Sequence, residues 1–163
     1  MNPAVEQVRQ ALCAYGLDDR VREFAVSSAT VELAAKALGV EPERIAKTIS
    51  LKIGAGCVLI VTAGDQKIDN RKFKARFETK AKMLAADEVE PLTGHPIGGV
   101  CPFCYPQTAT VYLDESLRRF DTVYPAGGTP NSAVRLTCAE LERASKCAGW
   151  VDVCKTKETV AAS

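Results

Sequence analysis

Histidine is nearly missing from this chain; it occurs once, at position 95. A structural zinc site commonly draws on four cysteine and histidine ligands in two spaced pairs. Cys101 and Cys104 make one such pair, but Cys147 and Cys154 are seven apart and no HxxxH exists, so the second half is absent. Excess charge is missing too, because 21 Lys and Arg against 20 Asp and Glu leave a net +1. Nothing in the overall balance therefore points to a nucleic acid or a membrane surface. The opening MNPAVEQVRQ lacks the basic head and apolar run of a secretory signal. The longest apolar stretch, CVLIVTA (57–63), is strand-sized and too short to cross a bilayer. Seven cysteines, an odd number without a secretory signal, read as reduced thiols of a cytoplasmic protein rather than a disulfide framework. No metal, cofactor or membrane partner is expected.

What is present is an ordinary globular composition, 47% hydrophobic and 25% charged over 163 residues, enough for one domain with its own core. Asn2-Pro3 offers a cap and first-turn proline for a helix carrying Val5, Val8 and Leu12, ended by Gly16. VREFAV (21–26) alternates as a strand. Residues 30–38 form a second helix running into Gly39, and Pro42 opens a short helical turn. KTISLKI (47–53) and CVLIVTA (57–63), joined by Gly-Ala-Gly, predict a β-hairpin. Asp69 caps a helix that turns Phe73 and Phe77 inward at i, i+4, and Asp87 caps another. ATVYLD (109–114), DTVYPA (121–126) and SAVRLT (132–137) read as strands. Thr137 and Glu140 make a capping box for the last long helix, with WVDVC (150–154) as a final strand. Mixed strands and helices without strict βαβ alternation predict an α/β domain with a mixed sheet. It is expected over 1–155, with a structureless tail over 156–163.

The segment TGHPIGGVCPFCYP (93–106) poses the functional question. Cys-Pro-Phe-Cys is similar to a glutaredoxin-type active site, which needs its first thiol at a helix N-terminus to lower the thiol pKa. Pro106 argues against a helix continuing from this motif. The reading favoured by the residues is two thiols in a loop. Gly98-Gly99, stiffened by Pro96, Pro102 and Pro106, suits a backbone that approaches a ligand closely or turns N–H groups toward an anion.

Three segments together resemble the YbaK/ProX family of freestanding aminoacyl-tRNA deacylases, relatives of the editing insertion in bacterial prolyl-tRNA synthetase. They are SATVELAAKALGVEPERIAKTISL (28–51) with its Lys47-Thr48, GHPIGGVCPF (94–103), and YPAGGTPNSAVRLT (124–137). The likeness covers residues 5 to 154. It implies a single domain with a strongly curved mixed sheet flanked by helices. Family members usually carry glycine or another small residue where Cys104 stands, and some place a histidine near Pro130-Asn131, where this chain has Ser132.

The activity implied is hydrolysis of the ester joining a small, wrong amino acid to a tRNA, with proline tRNA the usual substrate and prolyl-tRNA synthetase a possible docking partner. Lys47 and the amides around Gly98 and Gly99 are the implied catalytic groups. Thr48, His95, Val100, Cys101, Pro102, Gly127, Gly128 and Ser132 are the implied substrate-binding set. A non-catalytic aminoacyl-tRNA or synthetase-binding module of the same fold, or a thiol oxidoreductase using Cys101 and Cys104, are the alternatives. One local charge excess adds to this. Between Lys67 and Lys82 stand seven basic residues against Asp69 and Glu78, a local +5. Lys67, Arg71, Lys72, Lys74 and Arg76 are the candidate tRNA contacts, with Lys72 and Arg76 sharing a helix face.

Overall fold

The computed structural model describes residues 2–25 and 30–157. Helix α1 (Pro3–Cys13) starts where Asn2 Oδ1 accepts the Ala4 N–H at 2.8 Å, and it buries Val5, Val8 and Leu12. Helix α2 (Val31–Leu38) is capped by Thr30, whose hydroxyl accepts from Leu33 N, and stops at Gly39 in a left-handed conformation. Helix α3 (Asn70–Phe77) is capped by Asp69, as expected. Helix α4 (Ala86–Thr93) begins earlier than its sequence suggests. The cap position is Ala85, whose N–H donates to Glu88, and Asp87 lies inside the first turn. Helix α5 (Cys138–Ser145) carries the Thr137–Glu140 capping box.

The strands are β1 (Val21–Glu23), β2 (Ile45–Ile53), β3 (Gly56–Ala63), β4 (Gln66–Ile68), β5 (Ala109–Asp114), β6 (Thr122–Pro125), β7 (Ser132–Val134), β8 (Leu136–Thr137), β9 (Gly149–Val151) and β10 (Cys154–Thr156). Six of them form one curled mixed sheet in the order β8-β6-β2-β3-β5-β9. The β2–β3 hairpin is its centre, in register from Ala46↔Ala63 to Ile53↔Gly56. Parallel neighbours flank it, β6 beside β2 and β5 beside β3. Two small antiparallel ribbons, β1–β7 and β4–β10, complete the fold.

Alternation divides the hairpin into two buried faces. Ala46, Leu59, Val61 and Ala63 join Val5, Val8 and Leu12 of α1 and Phe103 of the proline-rich loop in the larger core. Leu51, Val58 and Ile60 face Phe73, Val151 and Val153 on the other side. A third, smaller cluster packs Ala34 and Ala35 of α2 on Ile45.

Three expectations change. SAVRLT is two strands, because Arg135 leaves the line to donate its N–H to Arg20 O, so β7 pairs with β1 and β8 with β6. WVDVC is likewise divided. The buried Asp114 carboxylate accepts the Val153 N–H at 3.0 Å, and the chain turns there from β9 into β10. Thr156, read from sequence as tail, pairs with Gln66 of β4, as Lys155 does with Lys67, and β4 is too short a strand to show in the sequence pattern. Val26 of the first expected strand, and 158–163 of the expected tail, lie outside the described residues.

Phe73 is wholly buried and stacks on Phe77 with ring centroids 4.7 Å apart. Phe73→Ala is expected to lower stability by about 3–5 kcal/mol, measured by urea unfolding, since an aromatic lost from a packed core leaves a cavity.

Candidate active site

The site is made by an interruption of the sheet. Strand β6 accompanies β2 only at Ile45↔Tyr124 and Ala46↔Pro125. Pro125 has no N–H to carry the ladder further, and the Gly127-Gly128 turn then takes the chain away. The same edge of β2 is next covered at Leu51, bridged by Met83, and at Lys52, whose N–H donates to Lys82 O at 2.8 Å. Between these two supports, Lys47 to Ser50 border an open gap. Main-chain groups alternate in direction along a strand, so those of Thr48 point to the same edge as the Lys52 N–H.

A cavity of about 430 Å³ occupies the gap. Lys47, Thr48 and Ser50 form its floor, and Gly98 and Val100 border it from the proline-rich loop. Its walls are mostly apolar, with Val31 and Ala34 of α2, Tyr124 of β6 and Ala126 just after it, and Ala133 of β7. Met83 and Ile97 stand at its mouth and are 60% and 64% exposed, unusual for large apolar side chains.

Two polar features distinguish this cavity. Thr48 Oγ1 is buried without a hydrogen-bond partner, whereas buried hydroxyls are normally satisfied. Lys47 is half-buried, and its ammonium neighbours Lys157, Cys154 and Asp65. Burial, and then the nearby Lys157 ammonium, bring the Lys47 pKa down to about 8. Adjacent strand residues point to opposite faces, so the Thr48 hydroxyl and the Lys47 amine border the gap from the two sides of β2.

Of the residues anticipated from sequence, Lys47, Thr48, Gly98, Val100 and Ser132 meet at this cavity. Ser132 Oγ is a staple. It accepts the N–H groups of Gly127 and Thr129 at 3.2 Å and donates to Thr129 O at 3.1 Å, which fixes the second glycine turn. Gly127 and Gly128 shape that turn without lining the cavity, and Gly128 rests on Ala4 and Val8 of α1. Gly99 does not offer its amide to a ligand, because its N–H donates to Pro96 O at 2.9 Å. A Cβ there would lie 2.7 Å from Gly128 O, so Gly99 is needed for the two loops to touch. Positive φ belongs to Gly98, at 87°.

His95, Cys101 and Pro102 do not line the cavity. His95 is buried, its Nε2 lies 2.5 Å from Phe103 O, and burial lowers its pKa, so the neutral ring donates Nε2–H to that carbonyl. Cys101 Sγ lies against the ring, 3.4 Å from Nε2, and complete burial drives its thiol pKa far up. Cys104 is half-buried with φ of 54°, a conformation suited to glycine. These residues tie the loop to itself, which is incompatible with a reactive thiol pair. Among the described residues no cluster of His, Cys, Asp and Glu could hold a metal ion.

Sequence reasoning missed Ser50, Tyr124, Met83 and Ile97. Ser50 was findable, since it shares the Thr48 face of β2. The basic segment also differs from expectation. Lys72 is ion-paired with Asp152 at 2.9 Å and Arg76 lies over the rings of Phe77 and Tyr112, while Arg71 and Lys74 are exposed. Lys67 stands apart from them on β4.

Residues 26–144 match the aminoacyl-tRNA editing domain. The uncharacterized protein YwhH of Bacillus subtilis (strain 168) is 49% identical over 156 residues, 95% of this chain and 99% of its own. A crystal structure provisionally assigned as a trans-editing enzyme for prolyl tRNA synthetase is 30% identical. It superposes with a TM-score of 0.85 over 97% of this chain and 99% of the other. A scaffold protein from work on epitope backbone grafting matches with a TM-score of 0.85 at 29% identity, over 98% of this chain and all of the other. This chain belongs to the aminoacyl-tRNA editing domain family, with the YbaK-like fold. Among the described residues no helix is long and apolar enough to cross a membrane.

The buried Cys101 thiol is expected to resist iodoacetamide at pH 8 while exposed Cys13 reacts, as read by mass spectrometry of the folded protein. Cys104→Gly should leave thermal stability unchanged or higher, because glycine adopts positive φ without strain. Rapid alkylation of Cys101 in the native state would reopen a thiol chemistry.

Proposed function

We propose that the chain is a trans-acting editing hydrolase that clears a small amino acid esterified to the 3′ end of a tRNA. The observation that carries this is the cavity at the interrupted edge of β2, bordered both by an orphan Thr48 hydroxyl and by Lys47, in a chain of the editing family. Apolar walls suit a small, weakly polar aminoacyl side chain, and about 430 Å³ leaves room for the ester and part of the sugar bearing it.

In this reading the ester carbonyl lies under the loop, and the amides of Gly98 and Val100 accommodate the tetrahedral oxyanion. Preorganised donors of this kind are worth about 2.7–4 kcal/mol each where measured in a hydrolase. Thr48 Oγ1 holds the substrate amine or the attacking water. Lys47 acts as a cation that positions the carbonyl or the terminal phosphate by charge-assisted hydrogen bonds. Water adds to the carbonyl carbon, the C–O bond to the ribose breaks, and the proton from water passes to the departing ribose oxygen. A neighbouring ribose hydroxyl of the substrate is suited to relay it. Proline tRNA is the preferred carrier in this proposal, and prolyl-tRNA synthetase is the proposed docking partner.

A panel of tRNAs, each charged with one small amino acid, tests the activity. Hydrolysis above the no-enzyme rate for at least one mischarged proline tRNA is expected, and a flat panel contradicts the proposal. Lys47→Ala should reduce single-turnover hydrolysis at least a hundredfold while leaving the urea midpoint in place.

The depressed Lys47 pKa gives a signed pH test. If the cation is the working form, its fraction falls about tenfold between pH 7 and pH 9 around a pKa of about 8. Enzyme-dependent hydrolysis, corrected for the uncatalysed rate, should fall with it. Lys47→Arg, charged throughout this range, should be slower but lack that decline, which separates Lys47 from titration of the substrate's own amine. A rate that rises through pH 8 in the wild type alone would make Lys47 a neutral base instead.

A further inference from the structure

The ribbon of β4 and β10 carries a concentration of positive charge that the proposed chemistry leaves unused. Antiparallel pairing sets Lys155 directly across from Lys67. Their neighbours Cys154 and Gln66 turn inward and are buried, so alternation leaves both lysines on the outer face, where both are exposed. Lys157 follows at the end of the ribbon, its N–H donating to Asp65 O at 2.8 Å, and its ammonium neighbours that of Lys47 at the cavity. Like charges placed opposite each other weaken a strand pair, so this arrangement works against the ribbon that displays it.

The nearby carboxylates have other duties. Asp65 is held by Arg119 through contacts of 2.6 and 3.0 Å. Asp69 accepts the Arg71 and Lys72 N–H groups at the start of α3, and Asp152 pairs with Lys72. Asp69 also feels the Lys155 charge from a distance. Among the described residues no ion pair neutralises Lys67, Lys155 or Lys157.

We propose that Lys67, Lys155 and Lys157 form a phosphodiester seat for the RNA strand whose terminal ester enters the cavity beside Lys47. This rests on the hydrolase reading. It moves the RNA contact from α3 to the ribbon, because the ribbon adjoins the cavity through Lys47 while Lys72 and Arg76 of α3 are engaged with Asp152 and with aromatic rings. A polyanion would relieve the like-charge opposition, and a neutral ligand would not.

Binding of uncharged tRNA, followed by fluorescence anisotropy from 50 to 200 mM salt, tests the seat with three proteins. These are wild type, the double variant Lys67→Ala with Lys155→Ala, and the double variant Arg71→Ala with Lys74→Ala. The ribbon variant should bind at least fivefold more weakly at low salt. The slope of log affinity against log salt should become shallower by about 1.5, as expected for two lost phosphate contacts. The α3 variant should stay within twofold of wild type. Melting temperature should be unchanged or higher in the ribbon variant. Hydrolysis of a phosphate-free ester, 3′-O-alanyl adenosine, should be equal in wild type and ribbon variant. Wild-type affinity and slope in the ribbon variant, or the loss appearing in the α3 variant instead, overturns the seat. If wild type hydrolyses neither ester yet binding depends on the ribbon as described, the hydrolase reading fails and the seat stands.

Discussion

The parting of β6 from β2 after Ala46 is the constraint on which the rest of the site depends. Two paired residues fasten the strands, and Pro125 cannot extend the ladder. The turn that follows is closed by Ser132 Oγ and pressed onto α1 at Gly128. Further along, Met83 and Lys82 reseal the same edge of β2. The gap is therefore bounded at both ends by backbone hydrogen bonding, and the loop carrying Gly98 and Val100 borders it. Main-chain pairing thus fixes the position of the gap, and the side chains of α2, β6 and β7 wall it.

The proline-rich loop has two sides with different duties. Ile97, Gly98 and Val100 border the cavity, while His95, Cys101 and Phe103 are buried behind it. The 2.5 Å contact of His95 Nε2 with Phe103 O holds the strap closed, and Gly99 lets it rest on the Gly128–Thr129 backbone. The only histidine of the chain and the Cys-x-x-Cys motif thus serve the shape of the loop. Their chemistry is suppressed by burial, which favours neutral imidazole and neutral thiol.

Much of this was legible in the sequence. Asn2, Thr30, Asp69 and Thr137 cap helices through local hydrogen bonds that need nothing distant, and the hairpin arms declare themselves by composition. Lys47, Thr48, Gly98, Val100 and Ser132 could be assembled by resemblance to the family. What sequence did not convey was direction. The loop read as one unit, so His95, Cys101, Pro102 and Gly99 were credited with contacts that their inward orientation or spent amide denies them. The β4–β10 ribbon was invisible for a related reason. Three-residue strands carry no period of their own, and their pairing joins Gln66 to Thr156 across ninety positions. Thr156 and Lys157 consequently looked like part of a structureless tail.

The central claim is that the gap beside β2 receives the aminoacyl ester. Amide chemical-shift mapping with a non-hydrolysable 3′-alanylamino-adenosine tests it most directly. The account predicts saturable shifts at Thr48, Ser50, Gly98, Val100 and Ala133, with little change at Gln7, Gln10 and Tyr105, which line a second, more open depression. Shifts confined to that second depression, or none between residues 47 and 50 at saturating ligand, would contradict it.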